Sequence, residues 1–235
     1  PPQIIIGAHA LHATGYAMGI QRDHADDVAV AYFGDGATSQ GDVNEALVFA
    51  SSFRAPVVFV CSNNQWAISE PVGVQAAHPI ASRAPGFGIP SLRIDGNDVL
   101  AGLAAMRWAL DHARRGEGPA FIEAVTYRMG PHTTADDPTR YRDPEEVARW
   151  EARDPLRRFE IYLRREGVLD DAATDAVAAQ ADALAAEVRA ACLGAVSRDA
   201  LTMFDEVYAE PHTELARQRD DYADYLAGFA EEAGA

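Results

Sequence analysis

The first part of the chain alternates between short apolar runs and longer segments with helical spacing. Four short runs predict strands, at 28–33, 57–61, 91–94 and 119–125, and the first of them is apolar on both faces. Such runs are typical of buried strands in a parallel sheet. The segments 39–53 and 98–115, which lie between runs, have apolar residues at the spacing of a helix, as does 9–20. This pattern predicts an α/β domain built on a doubly wound parallel sheet.

The pattern changes after the last predicted strand. Residues 128–143 have no apolar periodicity and are rich in Pro, Gly, Thr and Asp, which indicates a long surface loop. Three helical stretches follow, at 145–166, 172–193 and 201–229. The sequence therefore predicts an α/β domain at 1–143 and a C-terminal helical extension at 144–235.

Composition excludes several classes of function. The formal net charge of -16 and the isoelectric point of about 4.7 disfavour binding to nucleic acid. No apolar run approaches the roughly 18 residues of a membrane-spanning helix, so we expect a cytoplasmic protein with no membrane partner. The first residues resemble the middle of a domain, so we expect that an N-terminal part is missing from the chain. Cys61 and Cys192 stand in apolar surroundings, which predicts buried, reduced thiols.

Two polar residues follow neighbouring predicted strands. Asp35 comes after 28–33 and Asn64 after 57–61, and the carboxyl ends of parallel strands meet at one edge of a sheet. The two strands would be about 5 Å apart if adjacent, or about 10 Å apart with one strand between them. A carboxylate and an amide oxygen are hard ligands that suit Mg²⁺. The sequence therefore predicts a magnesium site, with Thr38 or Ser39 capping the next helix nearby.

The spacing of these residues resembles a known cofactor motif. Gly34-Asp35-Gly36, followed after 37–62 by Asn63-Asn64, is similar to the motif of thiamine-diphosphate enzymes. The segments most similar to alpha subunits of pyruvate and branched-chain 2-oxo acid dehydrogenases are 34–42, 63–71, 95–98, 127–142 and 150–159. The similarity covers nearly the whole chain, so a sheet of the thiamine-diphosphate-binding type is expected.

This resemblance implies a set of site residues. Mg²⁺ would be bound by Asp35, Asn64 and the carbonyl group of Trp66. Gly36 and Ala37 would line the diphosphate, and Gly34, which has no Cβ, is expected to let the backbone approach it. His9 and His12 lie three residues apart on the first predicted helix without further metal ligands, so we expect His9 to face the cofactor pocket and no zinc site.

The resemblance also implies a role for the long loop. His132 corresponds to the active-site histidine of the family, where it would contact the cofactor, orient the 2-oxo acid and assist acyl transfer. Asp136, Tyr141 and Arg142 are expected to hold the loop in shape by hydrogen bonds and ion pairs. Thr133 follows the histidine where mitochondrial relatives have a regulated serine, so no kinase switch is expected.

The implied function is that of the alpha subunit of a 2-oxo acid dehydrogenase. Such a subunit decarboxylates a small 2-oxo acid oxidatively and acylates a lipoyl group on a partner acyltransferase. A beta subunit is implied as well, in a heterotetramer of two alpha and two beta chains (α₂β₂). Segment 130–142 resembles pyruvate enzymes and 86–98 branched-chain enzymes, which leaves the substrate open. A transketolase-like enzyme and a non-catalytic α/β binding subunit remain alternatives.

Overall fold

A computed structural model describes residues 5–232, and the chain divides into two compact units on either side of the Leu169–Asp170 bond. In chain order the first unit contains α1 Ala8–Arg22, β1 Ala29–Gly34, α2 Gly41–Phe53, β2 Val57–Asn63, β3 Trp66–Ala67, β4 Glu70–Pro71, α3 Val72–Gln75, β5 Ser91–Asp95, α4 Val99–Arg114, β6 Ala120–Val125, α5 Pro144–Glu151 and α6 Pro155–Arg165. It also has 3-10 turns at Asp35–Ser39, Ile80–Phe87 and Pro138–Arg140. The second unit contains α7 Asp171–Leu193, a 3-10 turn at Ala200–Phe204 and α8 Thr213–Glu232.

The sheet is parallel and open. Its four strands are ordered β1-β2-β6-β5, and β3 and β4 form a separate antiparallel pair. Each of the four predicted strands is present, within two residues of its predicted ends. The carboxyl ends of all four strands therefore lie along one edge of the sheet.

Apolar side chains cover both faces of this sheet. On one face Phe33, Phe59 and Phe121 pack together with ring centroids 6.1–6.4 Å apart, under α1 and α2. On the other face α4 contributes Ala105, Ala109 and Ala113, which recur every four residues and so form one stripe of the helix. Helices on both faces confirm the doubly wound architecture.

The start of α2 differs from the prediction. The helix begins at Gly41 after Gln40, which makes no side-chain capping bond, so the predicted caps at Thr38 and Ser39 were wrong. The Thr38 hydroxyl instead donates to the Asp35 carbonyl oxygen at 2.7 Å. This bond closes the 3-10 turn that carries Asp35 beyond the end of β1.

The helical stretches after the loop are interrupted. Residues 145–166 form α5 and α6 rather than one helix, because Asp154 caps a new helix with Pro155 in its first turn. The stretch 201–229 is interrupted before α8, where Pro211 disfavours helical backbone in the residue that precedes it.

The predictions for the two cysteines and for the domain boundary have different outcomes. Cys61 is buried as expected, but Cys192 is exposed on α7, so its predicted burial was wrong. The two compact units divide after Leu169. The boundary between the α/β domain at 1–143 and the helical extension at 144–235 stays a prediction. Among the helices described, none is both long and apolar enough to cross a bilayer.

Candidate cofactor and metal site

The carboxyl ends of β1 and β2 are direct neighbours. The register pairs Gly34 of β1 with Ser62 of β2. Asp35 and Asn63 are therefore the next residues along these two neighbouring strands. Of the two spacings that the sequence left open, the structure has the shorter one, about 5 Å between strands. Asp35 and the Asn63-Asn64 pair therefore leave the sheet side by side.

Asp35 is almost completely enclosed. Only 1% of the residue is exposed, and its Oδ2 accepts a hydrogen bond from Nε2 of Gln75 at 2.9 Å. A buried carboxylate without partners would be unstable, so this donor compensates part of the desolvation. Within residues 5–232 no other group donates to this carboxylate, and Oδ1 is the oxygen left for a cation.

The chain after β2 folds back through two asparagine turns. Oδ1 of Asn63 accepts from the N–H of Gln65 at 3.0 Å, and Oδ1 of Asn64 accepts from the N–H of Trp66 at 3.1 Å. Gln65 has a left-handed backbone with φ of 70°, which these side-chain bonds stabilise. The turn directs the chain back towards β1.

Gly36 lies against this returning segment. A Cβ atom on Gly36 would lie 2.9 Å from Cβ of Ala67, closer than side chains tolerate. The Asp35 turn and the Asn64 turn are therefore in contact, and only a residue without a side chain fits between them. This close approach is a structural reason for glycine at position 36, in addition to the predicted contact with a diphosphate.

The carbonyl group of Trp66 already has one partner. Nη1 of Arg128 donates to it at 3.0 Å, and the Trp66 ring tilts against Tyr141 with centroids 5.3 Å apart. A carbonyl oxygen has two lone pairs, so Arg128 leaves one for another ligand. The oxygen predicted to bind a metal is thus fixed in place by an arginine that the sequence did not single out.

A chain of hydrogen bonds connects this arginine with the His132 loop. Nη2 of Arg128 donates to the Tyr141 hydroxyl at 3.0 Å, which donates to Oδ2 of Asp136 at 2.6 Å. The backbone N–H of His132 donates to the same oxygen at 2.8 Å. The hydrogen bonds from His132 and then from Tyr141 hold the pKa of Asp136 below its usual value. The His132 side chain itself is exposed.

Arg142 supports the same loop from inside. Its guanidinium group donates to the carbonyl groups of Arg128 and Met129 and lies 5.8 Å from the centre of the Tyr127 ring. The residue is buried, with 8% exposed. The expectation that Asp136, Tyr141 and Arg142 shape the loop agrees with these contacts.

Glu123 is a second buried acid close to the site. It lies in β6 with no exposed surface, and its two oxygens accept from Nδ2 of Asn63 and from the N–H of Ala81, both at 2.8 Å. Burial, and then the charges of Glu123 and Asp35, raise the pKa of the Cys61 thiol far above its usual value. The one acidic residue within an apolar strand run was the signal for Glu123, and the sequence interpretation missed it.

The predicted site residues thus lie in three places. Gly34, Asp35, Gly36 and Ala37 belong to the end of β1 and its turn, although the Ala37 side chain lies in the core and only its backbone is available to a ligand. Asn64 and Trp66 belong to the facing turn, and His132 lies on the loop tied to it. Nε2 of His9 is hydrogen-bonded to the Tyr32 carbonyl oxygen at 2.7 Å, at the exposed edge strand.

The donor chemistry of the two facing turns fits a magnesium ion. One buried carboxylate, one amide oxygen and one carbonyl oxygen are hard ligands, and Mg²⁺ completes its octahedron with phosphate oxygens and water. No group of three or more His, Cys, Asp or Glu suited to a metal occurs within residues 5–232. A soft transition-metal centre would need such a group, whereas the predicted magnesium site does not.

Comparison with known proteins gives the family. The sequence profile of the family described as "Dehydrogenase E1 component" matches residues 1–198, most of the chain. The chain belongs to the dehydrogenase E1 component family. It is 51% identical to a 3-methyl-2-oxobutanoate dehydrogenase subunit alpha of Mycobacterium tuberculosis (strain CDC 1551 / Oshkosh), over 97% of this chain and 62% of that protein. It is 43% identical to a pyruvate dehydrogenase E1 component subunit alpha of Staphylococcus epidermidis (strain ATCC 35984), over 94% of this chain and 60% of that protein.

Membership of the E1 family confirms the resemblance found in the sequence. It favours the 2-oxo acid dehydrogenase interpretation over a transketolase-like enzyme or a non-catalytic binding subunit. The chain spans about three fifths of the length of these curated relatives. The roles of the individual site residues stay predictions of the sequence.

Proposed function

We propose that this chain is the thiamine-diphosphate-binding part of the alpha subunit of a 2-oxo acid dehydrogenase. The observation that carries the proposal is the meeting of two turns at adjacent strand ends, with the buried carboxylate of Asp35 in one and Asn64 in the other. Asp35, Asn64 and the Trp66 carbonyl would hold Mg²⁺, and the ion would hold the diphosphate.

When bound, thiamine diphosphate would supply the nucleophilic carbon and the electron acceptor for loss of carbon dioxide from a 2-oxo acid. The backbone of Gly34, Gly36 and Ala37 would approach the diphosphate, where a side chain on Gly36 is sterically excluded. The exposed His132 would bind the substrate or move a proton, at a position fixed by the bond from its own N–H to Asp136.

The proposed partners follow from the same family. We propose a beta subunit in a heterotetramer of two alpha and two beta chains, and an acyltransferase whose lipoyl group accepts the acyl product. We propose that this assembly is cytoplasmic. The names of the relatives support a multisubunit dehydrogenase, because each is named as a subunit alpha.

Calorimetric titration tests the cofactor site. The alpha chain purified with its beta subunit should bind thiamine diphosphate in the presence of Mg²⁺, and Asp35→Asn should weaken binding by at least tenfold, because the ion loses a charged ligand. Asp26→Asn removes an exposed carboxylate outside the site and should bind like the wild type. Equal affinity in Asp35→Asn would contradict the assignment of Asp35.

The substrate class can be tested on the same complex. The relative with 51% identity is named for 3-methyl-2-oxobutanoate and the one with 43% for pyruvate. We therefore expect 3-methyl-2-oxobutanoate to be decarboxylated with the higher kcat/KM. A higher value for pyruvate would assign the chain to the pyruvate class, and decarboxylation of neither acid would reject the proposed activity.

A further inference from the structure

Two half-buried polar residues at the site have no role in the proposed function. Gln75 is the last residue of α3, and Arg83 lies in the 3-10 turn Ile80–Phe87. Both come from the irregular segment between β4 and β5. Their hydrogen bonds converge on the turn that carries Asp35.

The Gln75 side chain is held at both ends of its amide group. Nε2 donates to Oδ2 of Asp35 at 2.9 Å, and Oε1 accepts from the Ser39 hydroxyl at 3.3 Å. Only this orientation of the amide provides a donor for the carboxylate and an acceptor for the hydroxyl. The amide therefore connects the first and last residues of the Asp35–Ser39 turn.

Arg83 fixes the backbone of Gln75 against the same turn. Nη1 of Arg83 donates to the Thr38 carbonyl oxygen at 2.6 Å, and Nη2 donates to the Gln75 carbonyl oxygen at 3.2 Å. A planar guanidinium group with two bonds in fixed directions restricts the relative movement of the two segments. The donor on Gln75 is thereby kept at a constant position beside Asp35.

We propose that Gln75 is a positioning residue for the cation. By binding Oδ2 it would prevent rotation of the Asp35 carboxylate and present Oδ1 alone to the ion. This inference rests on the proposed function, in which Asp35 is the charged ligand. Mg²⁺ requires nearly ideal octahedral geometry, which one fixed oxygen serves better than a freely rotating carboxylate.

The expected size of the effect follows from other metal sites. Hydrogen-bonding partners of ligating carboxylates typically contribute about 10- to 100-fold to metal affinity. Gln75→Leu keeps a similar volume but has no donor, so Oδ2 of Asp35 loses its partner. We expect Gln75→Leu to weaken cation binding by about 10- to 100-fold.

The test measures Mn²⁺ as a substitute for Mg²⁺. The alpha chain with its beta subunit and saturating thiamine diphosphate is titrated with Mn²⁺, and free Mn²⁺ is measured by electron paramagnetic resonance. Gln21→Leu is the matched control, because it makes the same change in a glutamine whose Nε2 donates outside the site, to the backbone carbonyl groups of Phe53 and Arg54 at 3.2 and 2.9 Å. Thermal unfolding of both variants reports any general loss of structure.

The outcomes separate this inference from the proposed function. Weaker Mn²⁺ binding in Gln75→Leu, with normal binding in Gln21→Leu, would support the positioning role. Equal or tighter binding in Gln75→Leu would overturn it and leave the proposed function intact. No Mn²⁺ binding by the wild type would reject the proposed site itself. If Gln75→Leu does not fold, Gln75→Asn decides, because its amide is one methylene too short to reach Asp35.

Discussion

Glu123 is a charged residue without exposed surface, in a central strand of the sheet. Its oxygens accept from the Asn63 amide and from the N–H of Ala81, and Nε of Arg93 lies 3.6 Å away. Asn63 in turn accepts from the N–H of Gln65 and so begins the turn that carries Asn64. A single acid thus joins the turn after β2 with the start of the segment that contains Arg83.

Glu123→Ala should therefore destabilise the protein strongly. It leaves two buried N–H donors without acceptors, and we expect the free energy of unfolding to fall by about 3 to 5 kcal/mol. Glu123→Gln keeps one acceptor and should cost about 1 to 3 kcal/mol. Urea denaturation followed by circular dichroism measures both values. Glu45→Ala, an exposed glutamate on α2, should change the free energy by less than about 0.5 kcal/mol.

Asp136 makes the His132 loop dependent on pH. Its lowered pKa means that its hydrogen bonds stabilise the folded loop above the ordinary aspartate pKa of about 3.9 and are lost as the pH falls through the lowered value. We expect the His132 amide to be protected from hydrogen exchange at pH 5 to 7. Tyr141→Phe removes one donor, so the pKa of Asp136 should rise and protection should be lost at a higher pH.

Hydrogen exchange followed by mass spectrometry from about pH 2 to about pH 7 measures the effect, because the loss of protection is expected below the ordinary aspartate pKa of about 3.9. Tyr162→Phe is the control, because it makes the same change on an exposed residue of α6. An identical pH profile for Tyr141→Phe and the wild type would contradict the link between Tyr141 and Asp136. Loop position also matters for rate, since a displacement of about 1 Å near the reacting atoms can cost about 100-fold.

The sequence predicted some of these residues and not others. Asp35 and Asn64 were found because both follow apolar strand runs, and parallel strands end at one edge. Gln75 and Arg83 come from a segment without apolar periodicity, so no pattern indicated that it returns to the Asp35 turn. Arg128 donates to carbonyl groups, and those contacts depend on three-dimensional backbone positions.

At the scale of elements, α6 is tied to the end of β5. Nη1 of Arg158 donates to Oδ2 of Asp95 at 2.9 Å and to the Asn97 carbonyl oxygen at 3.0 Å. Burial alone would raise the pKa of Asp95, but the bonds from Arg158 and from the N–H of Asn97 lower it. The helix that makes this contact begins at Pro155, after the break between α5 and α6 that the sequence analysis overlooked.

Arg158→Met tests this attachment. Because Asp95 and Arg158 are about one third exposed, solvent weakens the pair, and we expect a loss of about 1 kcal/mol at pH 7. Because the pKa of Asp95 is lowered, its charge stabilises the protein above about pH 4. The difference in stability between Arg158→Met and the wild type should therefore shrink as the pH falls below that value. Thermal unfolding at pH 7 and pH 3 measures it. Arg157→Met, exposed on the same helix, should show neither effect.

At the scale of the whole molecule, burial is concentrated in the first part of the chain. Both core clusters lie between Ala10 and Ile122, and no residue after Arg142 is buried among those with described burial, 5–229. The α/β pattern therefore predicted the sheet and its core correctly. The helices of the second unit expose apolar side chains such as Leu184, Val188 and Phe229, and neither core cluster includes a described residue of these helices.

This distribution predicts how the chain responds to truncation. A chain that ends at Leu169, the last residue of the first unit, contains every residue that is buried among those with described burial. Stability follows mainly from buried apolar area, so the shortened chain should unfold cooperatively with nearly the midpoint of the longer one. Circular dichroism during thermal unfolding measures both chains. A truncation after Arg114 is the comparison: it removes β6, whose Phe121 and Ile122 belong to the two cores, and it should not fold. A broad, non-cooperative transition in the chain ending at Leu169 would contradict the prediction that the first unit folds without the residues after it.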